Sequence, residues 1–346
     1  MTYGEVKTYI EQGLITDRRH PENEDVAILN YTAKCQFERA WDDVTMQCRG
    51  LIMNVKTGEV LARPFKKFFN YGERIERGFV MPTEQPIITE KMDGSLGILY
   101  LLNGKPWIAT RGSFVSDQAL WATNWWRREM KDFVPIDNSI THLFEIVYPE
   151  NTIVVRYDFS GLVHLASIDT AKGYQVPVSL PIRKTREIVY PDVQTLHTII
   201  KQNEEGFVIY YPHTDLRLKI KGEEYIRLHK LLTGVSQRVI WDLLREGLPF
   251  DTLLDQVPDE FYDWVKSVSA ELKRQYWAIE SRALMQFDAI EETSSLESDR
   301  KWWAERILKM THPQLGFAML DKKDYSQILW KMLQPHSEKP FKLDDA

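Results

Sequence analysis

The sequence predicts an α+β protein, with antiparallel sheets through about the first 230 residues and an all-helical C-terminal part. Two observations predict it. Before Lys221, short apolar-alternating runs recur in pairs around turn signals, the mark of hairpins and so of antiparallel sheets. After Lys221 the strand signals stop, and apolar residues recur at helical spacing.

The elements follow in order. Arg49 to Val55 and Val60 to Phe65 read as strands joined by Lys56-Thr57-Gly58-Glu59. Pro86 to Thr89 reads as a strand leading into Lys91. Leu96 to Leu102 and Trp107 to Arg111 flank Asn103-Gly104, a short hairpin signal. Ser116 to Phe133 reads as helix, with Trp121, Trp125 and Arg128 on one face. Leu143 to Tyr148 and Thr152 to Tyr157 flank Pro149-Glu150-Asn151 and predict another hairpin. Phe207 to Tyr211 and Leu216 to Ile220 flank Pro212-His213-Thr214-Asp215 and predict a further one. Beyond them, Glu223 to Glu246, Phe261 to Ile290, Asp299 to Met310 and Tyr325 to Leu333 read as helices, followed by a polar tail from Pro335.

The bulk numbers exclude several classes. The chain has 346 residues, enough for two domains, and is 43% apolar. No apolar run approaches the roughly 20 residues of a membrane span. Met1-Thr2-Tyr3-Gly4-Glu5 is no basic leader, so no secretory signal is expected. Cys35 and Cys48 are too few for a disulfide framework and make no C-x-x-C pair, so a reducing cytoplasm is expected. The net charge of −6 argues against non-specific coating of nucleic acid. Local basic clusters remain: Lys66-Lys67, Arg127-Arg128, and Arg217, Lys219 and Lys221.

Lys91 is the candidate nucleophile. It ends a strand, and Asp93-Gly94-Ser95 supplies a turn in which Gly94 could take positive φ. An amine must lose its proton to attack phosphorus, and nearby cations favour that loss. Lys219 and Lys221 alternate along a strand and so share a face, where an anion between them would relieve their repulsion. The bland alternative is an edge strand guarded by lysines. Glu145 and Glu205 lie in or beside apolar strands, where a carboxylate is costly unless paired or metal-bound. Either could instead lie on a solvated strand face. Arg49, Lys67 and Arg111 could engage phosphates. The Trp125-Trp126-Arg127-Arg128 cluster reads as a packed helix with a basic edge, and Trp302-Trp303 as helix-bundle core. No Walker A, H-E-x-x-H, G-x-S-x-G or Rossmann glycine pattern occurs.

In this order, the lysine turn, Phe144-Glu145, Glu205-Gly206-Phe207-Val208 and Lys219-Ile220-Lys221 resemble the covalent nucleotidyltransferase superfamily of polynucleotide ligases and capping enzymes. The flanks are similar to the phage-type RNA ligase 1 family of ATP-dependent RNA ligases. They are Cys48-Arg49-Gly50, Arg63-Pro64-x-x-Lys67-Phe68-Phe69-Asn70, Lys91-x-Asp93-Gly94-Ser95-Leu96 and Lys219-Ile220-Lys221-x-x-x-Tyr225. The resemblance covers residues 25 to 230.

It implies an antiparallel-sheet nucleotidyltransferase (adenylyltransferase) domain over residues 1–230 and a helical domain over 231–346 that sets RNA-substrate specificity. It implies three steps: Lys91 takes AMP from ATP with loss of pyrophosphate, AMP passes to an RNA 5′-phosphate, and a 3′-hydroxyl displaces it. Tyr31, Arg49, Lys67, Arg111, Lys219 and Lys221 would contact the nucleotide. Glu145 would bind the ribose, Glu205 and Glu145 would serve the metal, magnesium or manganese in its place, and Tyr225 would matter in a later step. The substrate would be RNA with 5′-phosphate and 3′-hydroxyl ends, nicked tRNA among them, in RNA repair. The family's helical domain brings a metal-linked aspartate, for which Asp251, Asp255 and Asp259 compete. The alternatives are a DNA ligase or GTP-using capping enzyme, which would carry a β-barrel after the lysine pair, and a non-catalytic nucleotide- or RNA-binding protein.

Overall fold

A computed structural model describes every residue except 77, 134–136, 191, 234–235, 249–259, 296–297 and 336–346. The chain forms two compact units, Met1–Leu232 and Thr233–Ala346.

The first unit contains three sheets. The N-terminal one is a meander of β1 (Ile15–His20), β2 (Asn23–Tyr31), β3 (Arg49–Asn54) and β4 (Val60–Ala62). Helix α1 (Tyr3–Glu11) starts with a Thr2/Glu5 capping box, and its Val6 joins Ile15, Leu29, Leu51 and Met53 in one core. β4 stops at Ala62, short of the expected Phe65. Pro64 cannot donate to a ladder, and the Arg63 amide already donates to Thr141 Oγ1 at 2.9 Å.

The second sheet has the order β11-β10-β9-β7-β8, from β7 (Ser95–Leu102), β8 (Lys105–Ala109), β9 (Ile140–Val147), β10 (Gly161–Asp169) and β11 (Gln175–Val176). Asn103 and Gly104 turn the β7–β8 hairpin with φ of +54° and +71°, the left-handed pair that a two-residue hairpin requires. The helix Asp117–Glu129, capped by Ser116, lays Ala122 and Trp126 on this sheet. Arg127 donates to the Pro106 carbonyl oxygen, so the Trp-Trp-Arg-Arg cluster is a packed helix edge.

One expected hairpin is not formed. Residues 152–157 are not a strand, and β9 pairs instead with β10, Val147 opposite Gly161. The reason lies in Asp93. Its Oδ2 accepts the amides of Val154 and Val155, each at 2.8 Å, which holds the segment as a strap.

The third sheet has the order β12-β6-β13-β14-β5. Its strands are β5 (Phe69–Asn70), β6 (Ile87–Lys91), β12 (Glu187–Ile188), β13 (Gly206–Tyr211) and β14 (Leu216–Lys221). All pairs are antiparallel except β14 with β5. Ile88, Phe207, Ile209 and Leu218 make its apolar core with Leu196. The opposite face carries Lys91, Lys219 and Lys221.

Among its described residues, the regular elements of the second unit are all helices. Gln237–Glu246 is capped by Ser236 and ended by Gly247 at φ +63°. Glu260–Glu291, Arg300–Ile307, Pro313–Leu320 and Ser326–Met332 follow. Ala283, Ile307, Met310, Leu315 and Leu329 form the core, with Trp303 packed on it. The Pro313–Leu320 helix escaped the sequence reading. Asp251, Asp255 and Asp259 lie outside the described residues. No described helix is long and apolar enough to cross a membrane.

Candidate functional site

Strand register assembles the centre of the site. Lys91 at the end of β6 lies opposite Gly206, and Gly206 lies opposite Lys221 at the end of β14. Gly206 takes φ +146°, and a Cβ there would collide with the Ile220 carbonyl oxygen, so only glycine fits. Glu205, immediately before it, sends its carboxylate between the two lysines. Oε2 is 2.7 Å from Lys91 Nζ, and Oε1 is 3.2 Å from Lys221 Nζ. Glu205 is 3% exposed. A buried carboxylate is costly alone and tolerable between two cations. Lys219, also buried, lies two residues along β14 on the same face.

The turn after Lys91 is held from three directions. The Asp93 amide donates to the Tyr157 hydroxyl at 2.8 Å, and the Tyr225 hydroxyl donates to Asp93 Oδ1 at 2.8 Å. With the two strap amides on Oδ2, this buried carboxylate locks the turn. Gly94 does not take positive φ. It is glycine because a Cβ would lie 2.6 Å from the Ile146 carbonyl oxygen, so its absence lets β9 approach.

That approach brings Glu145 to the site. Burial pushes its carboxyl up to about 8. The Lys91 ammonium draws it back down, the Glu205 and Asp93 carboxylates push it up, and the Arg49 guanidinium lowers it. The residue as a whole is half-buried, yet so many groups surround the carboxyl that its charge is poorly solvated.

A second group surrounds Tyr31 at the end of β2. Gly50, at φ +97°, leaves room for the Arg111 backbone, which a Cβ would meet at 3.1 Å. Arg111 thereby comes beside β3, and its Nη1 donates to the Tyr31 hydroxyl at 3.3 Å. Lys67 is 7% exposed, and its ammonium lies 5.6 Å from the Tyr31 ring centroid. Arg49 rests over Phe68, and its buried Nη1 has no hydrogen-bond partner. An anion would satisfy that nitrogen. Asn70, three residues beyond Lys67, pairs with Lys219, which joins this group to the cation row.

The structure thus brings Lys91 and Lys221 onto Glu205, and Lys67 and Arg111 against Tyr31. Glu145 and Arg49 share the electrostatic field of the first group. Sequence reading missed Tyr157, Asn151 and Trp41, and treated Asp93 only as a turn residue. Asn151 accepts from Ser95 Oγ at 3.0 Å and donates to the Ile146 carbonyl oxygen at 2.8 Å. No local pattern marks these residues, because each has a partner distant in the chain, Ser95 for Asn151 and Asp93 for Tyr157. Among the described residues, no group of three His, Cys, Asp or Glu is placed to hold a metal ion.

The fold and site define a protein with a strand-end lysine set among cations and a few buried carboxylates. A family model described as RNA ligase matches residues 47–225, more than half of the chain, and the chain belongs to that RNA ligase family. The RNA ligase of Rhodothermus phage RM378 is 24% identical over 86% of this chain and 85% of its own length. A protein of Autographa californica nuclear polyhedrosis virus, named for both polynucleotide kinase and RNA ligase, is 29% identical over 66% of this chain. The match takes in 36% of that relative's length. Among solved structures, an archaeal ATP-dependent RNA ligase aligns with a TM-score of 0.47 at 15% identity, over 90% of this chain and 87% of that one.

Proposed function

We propose that the chain is an ATP-dependent RNA ligase that works through AMP bonded covalently to Lys91. One observation carries this reading: the Lys91 amine lies at a strand end, bonded to a buried carboxylate that it shares with Lys221. Family membership and the orphaned Arg49 Nη1 support it. Lys219, Lys221, Lys67, Arg49 and Arg111 offer a polyphosphate more positive charge than Glu145 and Glu205 offset.

In the first step, Lys91 Nζ bonds to the α-phosphorus as the bond from that phosphorus to pyrophosphate breaks. The ammonium must first lose a proton, and Glu205 Oε2 is the acceptor beside it. Arg49, Lys67 and Arg111 would hold the departing phosphates, with Lys219 and Lys221 beside the reacting one. Glu145 would hydrogen-bond the ribose. Two carboxylates do not cage a divalent cation, so Glu145 and Glu205 fit magnesium, or manganese in its place, only together with phosphate oxygens. When bound, such an ion supplies neutralisation of phosphate charge.

AMP would then pass from Lys91 to the 5′-phosphate of RNA, and a 3′-hydroxyl would displace it to seal the ends. The helical unit would select the RNA, nicked tRNA included, in a repair role. Its described regular elements are helices, which fits an RNA ligase better than a DNA ligase or capping enzyme with a β-barrel. Two buried free cysteines suit a reducing cytoplasm.

The test is a denaturing gel after incubation with magnesium and α-phosphate-labelled ATP or GTP, beside Lys91→Ala. Label retained from ATP and absent from the variant is expected. A folded wild-type protein, stripped of prior AMP, that takes label from neither nucleotide would refute the reading. Label from GTP alone would move it to capping chemistry.

A further inference from the structure

Lys67 is held by rings from three separate parts of the chain. Its ammonium lies 5.6 Å from the centroid of Tyr31, 5.2 Å from Trp41 and 5.5 Å from Phe69. Tyr31 ends β2 and Phe69 begins β5, so the sheets fix both. Trp41 comes from the loop after helix α2 (Ala33–Phe37). That loop turns through Arg39 at φ +55°, a conformation uncommon for a side-chain-bearing residue.

The loop is pinned on both sides of the ring. The Ala40 amide donates to the Cys35 carbonyl oxygen at 2.9 Å, the Trp41 amide to the Arg39 carbonyl oxygen at 2.8 Å, and the Asp42 amide to Thr45 Oγ1 at 2.8 Å. The indole meets the other two rings edge-on, Tyr31 at 4.9 Å and Phe69 at 5.9 Å between centroids. Trp41 therefore touches every other member of the cage. Through Tyr31, whose hydroxyl takes the Arg111 hydrogen bond, it also fixes the spacing between two candidate phosphate cations.

We propose that Trp41 is a positioning residue: with Tyr31 and Phe69 it aims the Lys67 ammonium at the phosphate tail of the nucleoside triphosphate. Ring faces attract an ammonium and fix where it points. An indole at this loop position is outside the motifs that carry the family resemblance. The proposal rests on the nucleotidyl-transfer reading of the site.

The test separates π-face from bulk and one step from another. Trp41→Phe keeps a ring face, Trp41→Leu keeps apolar bulk, and Trp41→Ala removes both. The KM for ATP in lysyl-AMP formation is measured for each, beside sealing of pre-adenylylated RNA, which needs no triphosphate. The expected result is a KM rise of about tenfold in Trp41→Leu and Trp41→Ala and near-wild-type KM in Trp41→Phe. Sealing of pre-adenylylated RNA should be unchanged in all three, which also shows that they fold. Trp41→Leu matching Trp41→Phe, or equal losses in both reactions, would overturn the proposal. A Trp41→Ala chain that does not fold leaves the Phe-against-Leu comparison to decide. Failure of the wild-type chain itself to form lysyl-AMP would instead refute the nucleotidyl-transfer reading.

Discussion

Each five-stranded sheet contributes one glutamate to the site, and the two are held in opposite ways. Glu205, immediately before β13, lies between the Lys91 and Lys221 ammonium groups. Glu145, in the middle of β9, faces Glu205 and Asp93 as well as cations, and its carboxyl is pushed up to about 8. In sequence the two look alike, each an acid in an apolar setting. The difference teaches that a buried carboxylate takes its character from what the neighbouring strands place opposite it. Glu205 is placed to hold two lysines. Glu145 is built to give up its charge easily, which suits a group that exchanges hydrogen bonds with a ligand.

The comparison breaks most severely at Glu205. Glu205→Ala leaves two lysines facing each other with no anion between them. Losing one partner of a buried pair costs about 3–5 kcal/mol, or about 10²–10⁴-fold in the rate of lysyl-AMP formation if that energy is spent at the site. Single-turnover adenylylation measures it. A variant that keeps near-wild-type rates would show that the carboxylate is ornamental.

Asp93 is the next strongest, because it fixes the turn to which both glutamates answer. Asp93→Asn swaps one of two accepting oxygens for a donor, against partners that are themselves donors. The loss should be about 2–3 kcal/mol, seen as a lower urea midpoint at unchanged slope. An unmoved midpoint would mean that the strap is held by something else.

The smallest effect sharpens the contrast directly. In the fold, Glu145 keeps its proton up to about 8, whereas the unfolded chain releases it near the ordinary 4.5. As pH rises through this window, the unfolded state binds fewer protons, so stability is lost with rising pH. Glu145→Gln has no proton to release. Relative to wild type it should gain stability at pH 8 and not at pH 4.5, measured by urea unfolding of the ligand-free protein. An equal difference at both values would show that Glu145 does not titrate in this way.

Much of this architecture was legible in the chain. Asn103-Gly104 marked its hairpin because a two-residue turn needs left-handed φ at both positions. Lys219 and Lys221 marked one face because strand side chains alternate. The end of strand signals after Lys221 marked the helical part, since helical periodicity is local. Other features were not legible. The 152–157 segment has a strand's composition, but Asp93 captures its amides. Gly94 was expected to supply positive φ, yet it supplies space for β9. Trp41 carries no local signal, because its partners Lys67 and Phe69 lie more than 25 residues further along the chain.

What the sequence determined by itself was therefore several of the elements, though not α1, β1, β2, β10 or the Pro313–Leu320 helix, and the order of reactive residues along the chain. Backbone propensity, side-chain alternation and turn chemistry act over a few residues, and those can be read from one chain. Tertiary structure decided which groups meet. Lys91 and Glu205 are 114 positions apart, and Asp93 and Tyr225 are 132 apart. Only the register of β6, β13 and β14, and the close approach of β9 at Gly94, bring such groups within bonding distance. A register shifted by one residue would turn Lys91 or Lys221 to the opposite face of the sheet.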